Sequence, residues 1–91
     1  MNAENVLCAE MLLAKYFYDT GTEILVSECI DWVKLNMKGS GVRKTDIKEA
    51  RKNLGIQSIK TEKGYTWVWK NEMGPEKMWI LKSEEFLKCG K

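Results

Sequence analysis

The apolar residues of this chain follow helical spacing in four segments, with strand-like runs between them. In residues 5–18 the apolar side chains recur every three or four positions, and Ala9, Leu13 and Phe17 fall on one stripe. Gly21 follows where such a helix is expected to end, because glycine tolerates the backbone conformations of a helix C-terminus. The pattern predicts a first helix that lies at the centre of the core.

A short strand and a second helix are predicted next. Residues 23–26 are β-prone, and we expect them to pair with a later hairpin as a small third strand. Ser27 is a candidate N-cap for a helix that runs to about Lys38, with acidic residues in its first turn. Residues 39–41, Gly-Ser-Gly, then form a turn into a third helix.

The third helix has one buried and one largely cationic face. Ile47, Ala50 and Leu54 recur at i, i+3 and i+7, so they share the buried side. The opposite side carries Lys44, Thr45, Lys48, Glu49 and Lys52. Gly55 follows directly and is expected to end the helix.

A β-hairpin is predicted after this helix. Two strand-like runs, residues 56–61 and 65–70, lie on either side of Lys63-Gly64, which is expected at the turn. Tyr65, Trp67 and Trp69 share one strand face. Because the chain has only two Phe residues, we expect Trp67 and Trp69 to pack in the core. The alternative is that these rings stack single-stranded bases.

The last segment predicts a terminal amphipathic helix, with Pro75 as its first residue. The apolar stripe of this helix contains Trp79, Ile80, Phe86 and Leu87. The whole order predicts an α+β fold in a single domain over residues 1–91. We expect a winged helix-turn-helix, which is a three-helix core plus a β-hairpin wing, with an additional C-terminal helix.

Charge is unevenly distributed along the chain. Residues 1–37 contain two basic and six acidic side chains, a net charge of −4, whereas residues 38–70 contain nine basic and three acidic side chains, a net charge of +6. The positive segment coincides with the third helix and the hairpin. A polyanion is therefore expected to bind there, and a solvated lysine-rich surface is the alternative.

The composition argues against catalysis and a metal site. The chain has no His, and Cys8, Cys29 and Cys89 are odd in number and far apart, so a zinc site of the usual spacing cannot form. We expect buried free thiols at Cys8 and Cys29, and an exposed one at Cys89. Neither an imidazole base nor a phosphate-binding glycine loop is present, so we expect no enzyme and no cofactor. The first helix is neither basic at its start nor apolar over a long enough stretch to be a signal peptide or a membrane span, which favours a cytoplasmic protein.

An ordered set of motifs occupies residues 40–70. The motifs are Gly41-Val42, Ala50-Arg51-Lys52, Leu54-Gly55-Ile56, Lys60, Gly64-Tyr65 and Trp67-Val68-Trp69. In this order they resemble the C-terminal winged-helix segment of AAA-type helicases and primase-associated replication proteins from phages, plasmids and integrated elements. The ATPase part of that family is absent from this sequence. Arg43 stands where the family pattern has a Ser or Thr cap, so the cap shifts to Ser40 or Thr45 or is lost.

Both the residues and the resemblance point to double-stranded DNA as the partner, in transcription regulation, replication or partition. The resemblance alone implies a phage, plasmid or other mobile element. The residues expected at the DNA are Arg43, Lys44, Thr45, Lys48, Glu49, Arg51, Lys52, Lys60, Lys63 and Lys70. Lys48 and Lys52 are expected to read guanine, whereas Arg51, near the buried face, is expected to meet a backbone phosphate or a nearby acid.

The chain has more large apolar side chains than a domain of this size is expected to bury, which suggests a homodimer. The expected interface consists of Trp32, Leu35, Trp79, Ile80, Phe86 and Leu87. The rival explanation is that the terminal helix folds back onto the first helix of its own chain. A different functional class also stays open, in which the domain binds a larger replication or defence protein through the terminal helix or the face with Trp32 and Leu35.

Overall fold

The computed structural model describes residues 2–89, with the backbone alone at residue 89. Within these residues the fold is α+β, with four helices and one three-stranded antiparallel sheet. The elements are α1 (Ala3–Thr20), β1 (Glu23–Leu25), α2 (Val26–Asn36), α3 (Lys44–Asn53), β2 (Gln57–Thr61), β3 (Gly64–Val68) and α4 (Pro75–Cys89). The predicted order of helices and strands is confirmed. No helix in the described residues is long and apolar enough to cross a membrane.

Helix α1 is the central helix of the core, as its apolar stripe predicted. It packs against α2, α3, α4 and β1. The side chain of Asn2 caps its first turn by accepting a hydrogen bond from the backbone N–H of Asn5 at 3.1 Å. At the other end the N–H of Gly21, at φ 139°, donates to the carbonyl of Phe17, so the predicted end at this glycine is confirmed.

The prediction of Ser27 as an N-cap is wrong. Helix α2 begins at Val26, and Leu25 occupies the N-cap position without a side-chain hydrogen bond. Leu25 is also the last residue of β1, where it pairs with Thr66 of β3. Because the chain passes directly from a paired strand into the helix, no position between them is available for a polar cap.

Helix α3 begins at Lys44 without a Ser or Thr cap. Arg43 occupies the N-cap position, and its guanidinium has no acceptor atom with which to cap the helix. Instead the carboxylate of Asp46 accepts a hydrogen bond from the backbone N–H of Arg43 at 3.0 Å. The hydroxyl of Ser40 bonds within the preceding turn, donating to the carbonyl of Met37 at 2.6 Å. The expected cap residues Ser40 and Thr45 therefore do not perform that role.

The sheet has the strand order β1-β3-β2, so β3 lies in the middle. The predicted pairing of β1 with the hairpin is confirmed. In the hairpin Thr61 pairs with Gly64, which leaves Glu62 and Lys63 as the turn. The turn is thus one residue earlier than predicted, and Gly64, at φ 114°, begins β3.

Trp67 and Trp69 pack in the core, as predicted. Trp67 is 2% exposed and Trp69 is 7% exposed. The ring of Trp69 lies 5.6 Å from that of Phe17 on α1, and its indole N–H donates to the carbonyl of Met73 at 3.0 Å. Trp67 pairs across the sheet with Ile24 of β1, which is also buried. These contacts attach the sheet to the helices.

The terminal helix α4 folds back onto α1. The ammonium group of Lys82 lies 2.9 Å from the carboxylate of Glu10, which is 5% exposed, and Asn53 at the end of α3 donates to the same carboxylate at 2.7 Å. Burial lowers the pKa of Lys82, but its hydrogen bond to Glu10 and the nearby acidic charges raise that pKa above its ordinary value overall. One buried carboxylate thus connects α1, α3 and α4.

The two cysteines whose side chains are described are free thiols. Cys29 is completely buried, and burial, with the charge of Glu28, raises its pKa to about 12. Cys8 is half-buried, and burial, followed by the charge of Glu4, raises its pKa. The prediction for the thiol of Cys89 lies outside the described side chains.

Replacing Trp67 by Ala is expected to destabilise the protein by about 3–5 kcal/mol, because it removes a large side chain from between the sheet and α3. Chemical denaturation followed by circular dichroism measures this loss. Tyr65→Ala is the matched control, since Tyr65 is an aromatic residue of the same strand that is 58% exposed, and its effect is expected to stay within about 1 kcal/mol. Equal stabilities of the Trp67→Ala variant and the parent would contradict this packing role.

Candidate nucleic-acid interface

A row of exposed lysines follows the solvent side of α3. Lys44, Lys48 and Lys52 are exposed and four residues apart, so each lies roughly one turn beyond the last. Ile47 and Ala50 on the opposite side are completely buried. The predicted division of α3 into a buried and a cationic face is confirmed for the lysines and Thr45, whereas Glu49, predicted on the exposed face, is half-buried.

These lysines have no acidic partner among the described residues. The salt bridges there are Lys15 with Asp19, and Lys82 with Glu10 and Glu85, all of them on α1 and α4. The positive charges of α3 and the hairpin are therefore available to a ligand.

The hairpin extends the cationic surface beyond α3. All five residues of β2 are exposed, including Lys60, and Lys63 lies at the turn. Lys60 pairs directly with Tyr65 of β3, so their side chains lie on the same face of the sheet. Ser58 and Trp67 form the next pair on that face.

A groove separates α3 from the hairpin. It has a volume of about 290 Å³ and is lined by Val26, Lys48, Arg51, Ser58, Tyr65 and Trp67. Lys48 and Arg51 come from α3, whereas Ser58, Tyr65 and Trp67 come from the hairpin. The groove therefore joins the exposed side of the helix to one face of the hairpin.

Arg51 lies at the junction between the helix and the hairpin. Its guanidinium donates to the carbonyl of Ile56 at 2.9 Å and lies over the ring of Trp67, 5.9 Å from the ring centroid. The expectation that Arg51 lies near the buried face is confirmed. Its contacts in the described residues are a carbonyl and an aromatic ring, rather than the acid that we considered.

Other residues expected at the DNA are more dispersed. Glu49 is half-buried and lines a depression beside Leu7 and Glu10 of α1, away from the lysine row. Arg43 and Thr45 are exposed at the start of α3. Lys70 is exposed just after β3, at the end of the hairpin away from Lys63. The lysine row of α3 and the lysines of the hairpin thus form one cationic surface, and Glu49 lies outside this surface.

The N-terminus of α3 is not a free anion site. Asp46 is 2% exposed, and one of its carboxylate oxygens binds the N–H of Arg43. The other oxygen is buried without a hydrogen-bond partner in the described part of the chain. The side chain of Asp46 already occupies the place where the helix dipole would attract a phosphate. Phosphate contacts are therefore expected from side chains along α3.

Tyr65 was not among the expected site residues. By strand alternation Tyr65 shares one face with Trp67 and Trp69, which are buried, yet Tyr65 is 58% exposed. Tyr65 is the second residue of β3 after the turn, and the described helices cover the hairpin only nearer its base. Its position next to the turn was the available signal in the sequence.

The residues expected at a dimer interface occupy two different environments. Trp32 stacks on Tyr16 at 4.6 Å, and Trp79 stacks on Tyr18 at 6.3 Å, so both rings contact their own chain. Phe86 is half-buried as well. The exposed members are Leu35 at 71%, Ile80 at 47% and Leu87 at 71%. The structure thus shows the fold-back of α4, and the dimer stays a prediction that depends on the exposed members.

Comparison with protein-family models, curated proteins and solved structures gave no significant match. Among the described residues, no group of three or more His, Cys, Asp or Glu side chains is placed to hold a metal ion. A functional assignment therefore depends on the cationic surface and the groove.

Replacing Arg51 by Ala is expected to destabilise the protein by about 1–3 kcal/mol, because the carbonyl of Ile56 loses its donor and Trp67 loses the group above it. Lys52→Ala is the matched control, since it removes an exposed cation from the next position and is expected to cost less than about 0.5 kcal/mol. Thermal and chemical denaturation measure both. If the two variants unfolded alike, Arg51 would not hold the junction.

Proposed function

We propose that this protein is a winged helix-turn-helix protein that binds double-stranded DNA, with α3 as the recognition helix and the β2–β3 hairpin as the wing. The observation that carries the proposal is the shared groove, which α3 and the hairpin line together and which Lys48 and Arg51 make cationic. The order of elements and the strand order β1-β3-β2 support the fold assignment. The proposed action is binding, without catalysis, in the cytoplasm.

The dimensions of α3 suit the major groove of DNA. A helix is about 10–12 Å in diameter with side chains, and the major groove is roughly 12 Å wide. The ten residues of α3 span about 15 Å, and its lysine row covers about 12 Å of that length. Several contacts along one face of the duplex are therefore possible without bending of the helix.

The side chains divide into base-reading and phosphate-binding groups. Lys48 and Lys52, in the middle and last part of the row, can donate to guanine acceptors. Lys44 at the start of the row and Lys60 and Lys63 on the hairpin are assigned to phosphates. Arg43, Thr45 and Lys70 are exposed at the margins of this surface and extend the phosphate contacts.

Arg51 is assigned to a different role from the other cations. Because its guanidinium is bound to the carbonyl of Ile56 and lies over Trp67, it positions the hairpin relative to α3. Its charge still adds to the positive potential of the groove. Glu49, half-buried towards α1, is placed at the edge of the interface.

The resemblance of residues 40–70 to winged-helix segments of phage and plasmid replication proteins supports a role in replication, partition or transcription regulation on a mobile element. A second candidate is a module that binds a larger replication or defence protein. The exposed apolar residues Leu35, Ile80 and Leu87 favour it, because exposed apolar surface often marks a protein interface.

The affinity for duplex DNA is expected to fall steeply with rising salt, because the lysines displace condensed counterions from the phosphates. Fluorescence anisotropy of a labelled duplex at several salt concentrations measures this slope. Absence of binding at low salt would refute the proposal. A partner recovered from a lysate in nuclease-insensitive form would then favour the protein-binding candidate.

Substitution of individual lysines is expected to separate base reading from phosphate binding. Lys48→Ala and Lys52→Ala are each expected to cost about 1–3 kcal/mol at preferred sites and less on random DNA. Lys63→Ala is expected to weaken binding to all sequences alike, and Lys88→Ala on α4 is the matched control. The roles are wrong if all three lysines of the surface affect preferred and random DNA equally.

The dimer is tested by sedimentation over a range of protein concentrations. A homodimer through Ile80 and Leu87 is expected to dissociate on Leu87→Glu, which leaves the folded α1–α4 contact in place. A strict 10.5 kDa species at high micromolar concentration would exclude the dimer. Two-fold pairing would place two copies of α3 about one turn of DNA apart, roughly 34–36 Å.

A further inference from the structure

Tyr65 is the exposed aromatic residue of the cationic groove. Its side chain is 58% exposed, whereas Trp67, two residues further along β3, is 2% exposed. A single exposed aromatic ring is ordinary on a protein surface and does not indicate a ligand by itself. The cations that surround this ring do indicate one.

Cations lie on both sides of Tyr65. Lys60 is its direct cross-strand partner on β2, where side chains are about 5 Å apart. Lys48 and Arg51 of α3 line the opposite wall of the groove, and Ser58 supplies a hydroxyl. No carboxylate is among the described side chains that line it. An aromatic face between cations suits a nucleotide, because the ring can stack the base while Lys60 binds its phosphate and the other cations add positive potential.

The size of the groove favours one nucleotide over a base pair. Its volume of about 290 Å³ is just below the usual range of small-molecule sites, which is roughly 300–1,000 Å³. In a paired duplex both faces of every internal base are covered by neighbouring bases. The ring of Tyr65 can therefore stack only on a base that has left the duplex.

We propose that Tyr65 stacks an unpaired base of DNA in the groove between α3 and the hairpin, so that the protein prefers a duplex with an unpaired nucleotide to a fully paired one. This inference rests on the proposed function, because the duplex beside the unpaired nucleotide occupies the α3 surface. It names the class of DNA bound: duplex interrupted by an unpaired base, as arises where strands begin to separate.

The test uses the full chain and three duplexes with identical ends. The first duplex is fully paired, the second carries one central bulged 2-aminopurine, and the third carries an abasic bulge at the same place. Stacking of one base is worth about 1–3 kcal/mol, so the parent is expected to bind the 2-aminopurine bulge roughly 5- to 150-fold more tightly than the paired duplex. The abasic bulge, which interrupts the duplex at the same place but has no base, is expected to bind like the paired duplex. The 2-aminopurine fluorescence is expected to change on stacking.

Variants of Tyr65 identify the ring as the cause. Tyr65→Phe is expected to keep the preference for the bulged base, and Tyr65→Ala to lose it, so that this variant binds the bulged and the paired duplex with equal affinity. Tyr65→Thr, which introduces a β-branched side chain suited to a strand but removes the ring, repeats the test if the alanine variant does not fold. Tyr18→Ala is the control, because Tyr18 is 47% exposed but lies on α1 against α4.

Three results would overturn the inference. Equal affinity of the parent for all three duplexes would refute base stacking by Tyr65 but would still agree with the proposed binding of duplex DNA. Equal gains for both bulges would show that DNA flexibility, and not stacking, is recognised. No binding to any duplex would refute both the inference and the proposed function.

Discussion

The packing of Trp67 beneath Arg51 sets the position of the hairpin relative to α3, and the candidate interface depends on that position. Trp67 is buried in the middle strand of the sheet, and Arg51 extends from α3 over its ring while donating to the carbonyl of Ile56. Ile56 lies between the end of α3 and the start of β2. One arginine therefore connects the helix, the linking segment and the sheet. These contacts act together with the pairing of β1 and β3 and the packing of Trp69 on Phe17, which hold the sheet against the helices.

The fold was largely predictable because its main elements follow local patterns. Periodic apolar residues indicated the helices, and Pro75 marked the start of α4. The errors arose where neighbouring elements restrict the chain. Ser27 is a favourable capping residue by type, but β1 runs directly into α2, so that Leu25 takes the position. At α3 the backbone of Arg43 is bonded by Asp46, a residue inside the helix, and not by a preceding Ser.

The candidate site was predictable in its charges but not in its contacts. The lysine row follows from helical spacing alone, so Lys44, Lys48 and Lys52 could be placed on the exposed face from the sequence. The exposure of Tyr65 depends on how far the helices cover the hairpin, and the role of Arg51 depends on the fold of the segment after α3. The contact of Lys82 with Glu10 joins residues distant in sequence and had no local signal. Because this contact has no signal in the sequence, the apolar pattern of α4 could not show whether the helix packs on its own chain or on a second copy.

The central claim is that α3 and the hairpin form one DNA-binding surface. Titration of the ¹⁵N-labelled protein with a short duplex, followed by amide chemical shifts, tests it most directly. We expect the large shifts to fall in Lys44–Asn53 of α3 and in Gln57–Thr61 and Gly64–Val68 of the hairpin. The amides of α4 near Ile80 and Leu87 are expected to stay unchanged. Shifts confined to α4, or no shifts at a duplex excess in low salt, would contradict the account.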